Sequence, residues 1–150
     1  MTVVKIETKD NFNKLHNIIR KSKKGSIEVG FFADSPRYDS GVSVSNVAYW
    51  NEYGTKNIPE RPFLRTSAQK NNEKYLGLVR SFLTAIFKGR ATGKRAISTI
   101  ALKVKNDIVD TIIRWTFPIN AKSTEDKKGF NDPLVDTELM LESVDWRLSK

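Results

Sequence analysis

The 150 residues contain no cysteine and a single histidine, His16. Without thiols the chain can build neither a disulfide framework nor a thiolate metal site. One imidazole also excludes a multi-histidine zinc or iron centre within one chain. Long apolar runs are missing as well: Lys, Arg or Asp interrupts each stretch before the roughly 18 apolar residues of a membrane-spanning helix, so no membrane partner is expected. The opening MTVVKIETKD is charged within five residues and lacks the apolar core of a signal peptide, and synthesis in a reducing cytoplasm is expected. Acidic residues are in deficit: 17 Asp and Glu face 26 Lys and Arg, for a net charge of +9. That balance invites a polyanion, but it speaks to association rather than to fold.

Catalytic signatures are equally scarce. G-x-S-x-G does not occur. The nearest thing to a phosphate loop is GRATGKR, Gly89 to Arg95, with three residues between its glycines and Arg95 where a magnesium-binding hydroxyl belongs. It also follows a helical pattern, whereas a phosphate loop follows a strand, so it reads as a helix–helix turn. His16 flanks the apolar stripe of a predicted helix and reads as a packing residue. Asp132, Asp136, Glu138 and Glu142 gather near the end of the chain. Metal binding or two-carboxylate hydrolysis would need them to converge across a closed pocket, and a helix amino terminus accounts for Asp136 and Glu138 more simply. No cofactor is called for.

What is present is a pattern of mixed elements. Thr2 to Thr8 alternates as a short strand, and Asp10 caps a helix carrying Phe12, Leu15, Ile18 and Ile19. Ser26 to Phe32 alternates as a second strand. Asp34 to Gly41 is polar and turn-prone. Ser43 caps a short helix that runs through Tyr53, with Val44, Val47 and Ala48 inward and Gly54 as its stop. Pro59 and Pro62 oppose regular structure around them. A long helix begins at Thr66 or Ser67, carries Tyr75, Leu76, Val79, Phe82, Leu83 and Ile86, and stops at Gly89. Thr92 caps a second long helix with Ile97, Ile100, Ala101, Val104, Ile108, Ile112 and Trp115 on its apolar face. Pro118 to Pro133 is polar and aperiodic and reads as an exposed arm. A short helix near Asp136 or Thr137 and a closing strand from Ser143 to Leu148 finish the chain. One domain spanning 1–150 is expected, large enough to bury roughly 70% of its unfolded surface. Its fold class is α+β: a small, mostly antiparallel sheet packed against two long helices, with flexible segments near 34–42 and 119–133.

Two basic groups stand out. The first is Arg20, Lys21, Lys23 and Lys24; the second is Lys88, Arg90, Lys94 and Arg95. Either could track phosphates. No helix dense in Arg, Asn and Gln and no aromatic stacking strip accompanies them, so a base-reading role is not indicated. A DNA- or RNA-binding module working through these patches remains an alternative.

The most distinctive segment is Val47 to Arg65, VAYWNEYGTKNIPERPFLR. It resembles the A-x-x-x-E-[FY]-G-T … I-P-x-R-P-F-[LM]-R signature of the tail-completion, or neck, proteins of tailed bacteriophages. Ala48, Glu52, Tyr53, Gly54, Thr55, Ile58, Pro59, Arg61, Pro62, Phe63, Leu64 and Arg65 match it. Thr124, Lys128, Gly129, Pro133, Leu134, Val135, Asp136, Thr137, Ser143 and Val144 match a second block, T-x-x-x-K-G … P-L-[IV]-D-T-G-x-L-x-x-S-[IV]. This chain departs from it at Glu138, where the family has glycine, and at Met140, where it has leucine. The resemblance implies a structural virion protein without catalytic activity, assembled in the host cytoplasm. Such a protein completes the tail or joins tail to head, as a homo-oligomeric ring around the DNA channel beside other neck and tail proteins. A tail-terminator or head-closure protein is the adjacent alternative. Trp50, Tyr53, Thr55, Arg61, Pro62, Phe63 and Arg65 are the implied interface residues, since arginine and aromatics are enriched at interfaces. On the same reading the two basic groups are the residues that could face DNA. A buried corner, with Arg61 paired to Glu52 or Glu60 and Phe63 plugging the helix start, is an equally open reading of the first block.

Overall fold

The computed structural model describes residues 26–149 except 121, 123, 124, 127, 128, 130–132 and 135–137. The expected first strand and helix, His16 and the basic group Arg20 to Lys24 lie outside the described residues, as does much of the expected arm.

Among the described residues the elements in order are β1 Ser26–Gly30, α1 Val44–Tyr53, α2 Phe63–Phe87, α3 Gly93–Ile113, α4 Leu139–Glu142 and β2 Asp145–Ser149. The two strands pair antiparallel, with Ile27 opposite Leu148 and Val29 opposite Trp146. The architecture is α+β. The two long helices form an antiparallel hairpin, in which α3 lies on both strands and α2 runs along α3.

Local chemistry accounts for most of these limits. Ser43 caps α1 by accepting from the Asn46 amide, and Thr92 caps α3 by accepting from the Arg95 amide, as hydroxyl caps do. Arg37 and Ser43 bridge across the turn between β1 and α1. Tyr38 and Gly41 close that turn through their amides, which donate to Val42 and Tyr38 carbonyls. Arg147 of β2 reaches Asp34 at 2.6 Å.

Several boundaries differ from expectation: β1 ends at Gly30 rather than Phe32, and β2 runs Asp145–Ser149 rather than from Ser143 to Leu148. Helix α2 begins at Phe63, not at Thr66 or Ser67. Ser67 is not a cap but sits buried inside the helix. The earlier start is possible because the capping carboxylate comes from another element, as described below. Trp115 falls beyond the end of α3, which closes at Ile113.

The core joins all layers. Val44 and Ala48 of α1, Phe63 of α2, Ile108 and Ile112 of α3, Met140 of α4 and Val144 before β2 form one buried cluster. Each of these side chains larger than alanine contributes about 1.5–3 kcal/mol relative to exposure.

Candidate functional site

The segment Val47 to Arg65 forms a corner between α1 and α2. Gly54 ends α1 at φ 72, a left-handed conformation that side chains rarely adopt. A Cβ there would come within 3.1 Å of the Glu60 amide nitrogen and 3.2 Å of the Ile58 carbonyl oxygen. Glycine is therefore required twice, for the conformation and for the close approach. Thr55 then closes the turn: its amide donates to the Ile58 carbonyl at 2.8 Å, and its hydroxyl accepts from the Ile58 amide at 3.0 Å.

Glu52 explains where α2 starts. Its carboxylate, 2% exposed, accepts from the amides of Leu64 at 2.8 Å and Arg65 at 3.2 Å. These are two of the four amides a helix start leaves unpaired. A negative charge also suits the positive end of the helix dipole. Pro62, just before the helix, has neither a capping side chain nor an amide proton to satisfy. Arg65 completes the lock with Nε on Glu52 at 2.9 Å and a second nitrogen on both the Glu52 carbonyl and Glu60. Those carboxylates hold the Arg65 guanidinium above its ordinary pKa.

Arg61 is therefore not the partner of Glu52 or Glu60, and Arg65 takes both. Arg61 is 4% exposed and gives its fork to neutral oxygens. Nε donates to the Pro118 carbonyl at 3.0 Å, one terminal nitrogen to Asn51 Oδ1 at 3.0 Å, and the other to the Ile119 carbonyl at 3.1 Å. Burial among these groups pulls its pKa below the usual arginine value. The clamp spans 57 residues of sequence and fixes the segment after α3 against the last turn of α1.

The implied interface set thus divides. The side chains of Arg61 and Phe63 are buried, Phe63 completely, and they build the corner rather than present a surface. Pro62 is half-buried, and Thr55 is exposed but engaged in its turn. Trp50, Tyr53 and Arg65 face outward, joined by Tyr49, whose ring lies 4.8 Å from that of Tyr53. The Arg65 guanidinium stacks over Tyr53 at 5.1 Å. Two exposed residues were not anticipated: Phe117 and Ile119, held out by the Arg61 clamp. Their only signal in the sequence is an apolar pair flanking Pro118 in an otherwise polar stretch.

The second basic group comes together. Lys88, Arg90, Lys94 and Arg95 are all exposed around the turn joining α2 to α3, which Gly89 makes at φ 67. Among the described residues no three His, Cys, Asp or Glu side chains gather as a metal site. Among them also, no helix is long and apolar enough to cross a membrane.

Between α2 and α3 runs a polar seam, opening into a cleft of about 320 Å³ lined by Lys70, Asn71, Asp107, Arg114 and Trp115 among others. Buried Asp107 accepts from Lys103 at 2.5 Å, with Lys74 at 3.5 Å. Burial pushes its carboxyl up, but the Lys103 hydrogen bond and the charges of Lys103 and Lys74 outweigh that and hold it below the ordinary value. Tyr75 faces Asp107, and burial, then that charge, raise its phenol from 10.0 to about 12. Because the folded value is the higher one, the stabilisation is complete below the unfolded value and is lost as pH climbs to the folded one. Ultraviolet titration should show a late phenolate component near pH 12 that Tyr75→Phe removes. Stability should fall between pH 10 and pH 12 less steeply in the variant; identical slopes would refute the assignment.

Comparison of the chain with family models, with curated proteins and with solved structures yields no match.

Proposed function

We propose that this chain is a structural subunit of the neck of a tailed phage, completing the tail or joining it to the head as a ring of identical copies. The observation that carries the reading is the corner itself. Its inner residues, Asn51, Glu52, Arg61 and Phe63, are spent on rigidity, while Tyr49, Trp50 and Tyr53 are displayed on its outer face. Aromatics exposed on a locked scaffold suit binding to another protein, because little freedom is lost when they are covered. Glu52, Arg61 and Phe63 of the inner layer and Tyr53 of the outer one match the family signature. The basic turn between α2 and α3 suits a place beside DNA without reading its bases, since exposed Lys and Arg engage phosphates regardless of sequence.

Purified virions from a host carrying the gene should contain the chain in several copies, located at the neck by antibody labelling. Complete, infectious virions lacking it would overturn the proposal. The same basic turn supports one rival, a nucleic-acid-binding module. Tight, sequence-dependent binding by the monomer that persists at high salt would favour that rival.

A further inference from the structure

We infer that two different faces of the chain, the aromatic corner and the outer ridge of α2, are the two halves of one contact between successive copies. The inference rests on the self-association in the reading above and names the surfaces that would meet.

The ridge is written as a series of apolar doublets: Tyr75-Leu76, Leu78-Val79, Phe82-Leu83 and Ile86-Phe87. In each doublet the first residue is half-buried and the second is exposed. Successive helical residues point about 100° apart, so α2 carries two apolar stripes. One of them packs within the hairpin. The other, Leu76, Val79, Leu83 and Phe87, is 39% to 53% exposed, at the three- and four-residue spacing of a packing ridge.

The corner lies at the other end of the same helix. Arg65, which stacks on Tyr53, is about 27 Å from Leu83 at 1.5 Å per residue. A rigid helix cannot fold one face onto the other, so they can meet only between copies. The five corner side chains Tyr49, Trp50, Tyr53, Phe117 and Ile119 are 36% to 77% exposed. They offer on the order of 600 Å² of apolar surface, and the ridge about 300 Å². Together they come to roughly 900 Å² of apolar surface, which places the contact at the small, weak end of specific interfaces.

Charge selects the pairing. From Arg80 to Arg95 there are five cations and no carboxylate. Ridge against ridge in antiparallel register would bring two Arg80 side chains together across the two-fold axis. The corner instead presents aromatic faces, which attract cations. Its rim mixes Lys56, Arg65 and Lys122 with Glu60, Glu125 and Asp126, the last two beside Ile119, so it carries no net positive charge to oppose the cations of the ridge. Contacts between unlike faces propagate head to tail and close into a ring when the rotation allows.

The test uses two full-length variants, Leu83→Glu with Phe87→Glu on the ridge, and Trp50→Glu with Tyr53→Glu on the corner. Sedimentation at about 0.5 mM would populate a contact as weak as Kd ~0.1 mM. Wild type should self-associate, and each variant alone should associate at least tenfold more weakly. An equimolar mixture should form a heterodimer of near wild-type affinity that grows no further, because one intact corner meets one intact ridge. A mixture that stays monomeric, association lost in only one variant, or a monomeric wild type would overturn the inference. So would a ridge variant that melts more than about 5 °C early, because the ridge would then be covered within its own chain. Self-association unaffected by either variant would sink this pairing and leave the neck reading standing. Complete, infectious virions lacking the chain would sink the neck reading whatever the mixing shows.

Discussion

Replacing Arg61 with alanine is expected to destabilise the fold by about 3–4 kcal/mol and to release the segment from Phe117 to Asn120, an effect set by hydrogen bonds to a buried charge. The guanidinium is the shared donor for Asn51, Pro118 and Ile119, with Asn120 Oδ1 a further acceptor at 3.4 Å. Truncation leaves those oxygens facing a space without a donor, and the cost of an unpaired buried acceptor exceeds the net gain of an ordinary hydrogen bond. Lysine should not rescue it, because an ammonium is a point donor and the three acceptors are arranged for a planar fork. Urea denaturation would give the energy, and amide exchange would report whether residues 117–120 open. For a chain of this length the melting temperature should drop by roughly 10 °C. A loss below about 1 kcal/mol would mean that water replaces the guanidinium freely, and that the corner does not depend on it.

The same residue shows where the sequence stopped being informative. Its type and its neighbours Pro62 and Phe63 left a buried corner and a subunit interface equally open, and the side chains of Arg61 and Phe63 are buried in a corner. Two of its partners, the main-chain carbonyls of Pro118 and Ile119, were out of reach across 57 and 58 residues of chain. A carbonyl is carried by every residue, so no side-chain pattern marks it. The start of α2 was misplaced for a related reason. Thr66 and Ser67 have the chemistry of a cap, but the cap in use is Glu52, carried on α1 and twelve residues from the Leu64 amide. Local signals served better where the interaction is local: Ser43 and Thr92 cap the helices that follow them, and Gly54 and Gly89 stop the helices before them. The spacing put Tyr75, Leu76, Val79, Phe82, Leu83 and Ile86 on one apolar face of α2, but burial splits that face. Tyr75, Phe82 and Ile86 are half-buried while Leu76, Val79 and Leu83 are exposed, because which positions face α3 depends on the register of the hairpin. The likeness to neck proteins grouped Trp50, Tyr53, Arg61 and Phe63 into one interface set. Burial separates them into two that support the corner and two that are shown on it.

That separation makes the second large prediction. Phe63→Ala is expected to cost about 4 kcal/mol, the sum of lost transfer energy and the cavity left behind. The ring is completely buried and meets Phe31 edge to face, with centroids 6.0 Å apart and planes at 83°. Val44, Ala48, Ile108 and Ile112 belong to the same core cluster, so the cavity would open where α1, α2 and α3 converge. Phe63→Leu, which keeps most of the volume, should cost about 1.5 kcal/mol or less. Tyr53→Ala should cost within about 0.5 kcal/mol, since it removes an exposed ring and one stacked arginine. Stability and association should therefore part company. Phe63→Ala loses association only by unfolding, and a stabilising osmolyte such as trimethylamine oxide should restore both together. A Tyr53 variant stays folded and fails to associate, and the osmolyte should leave that defect in place. If Phe63→Ala remained fully folded yet unable to associate, the phenylalanine would have to reach the surface in the assembled state, and the division of the corner into support and display would be wrong.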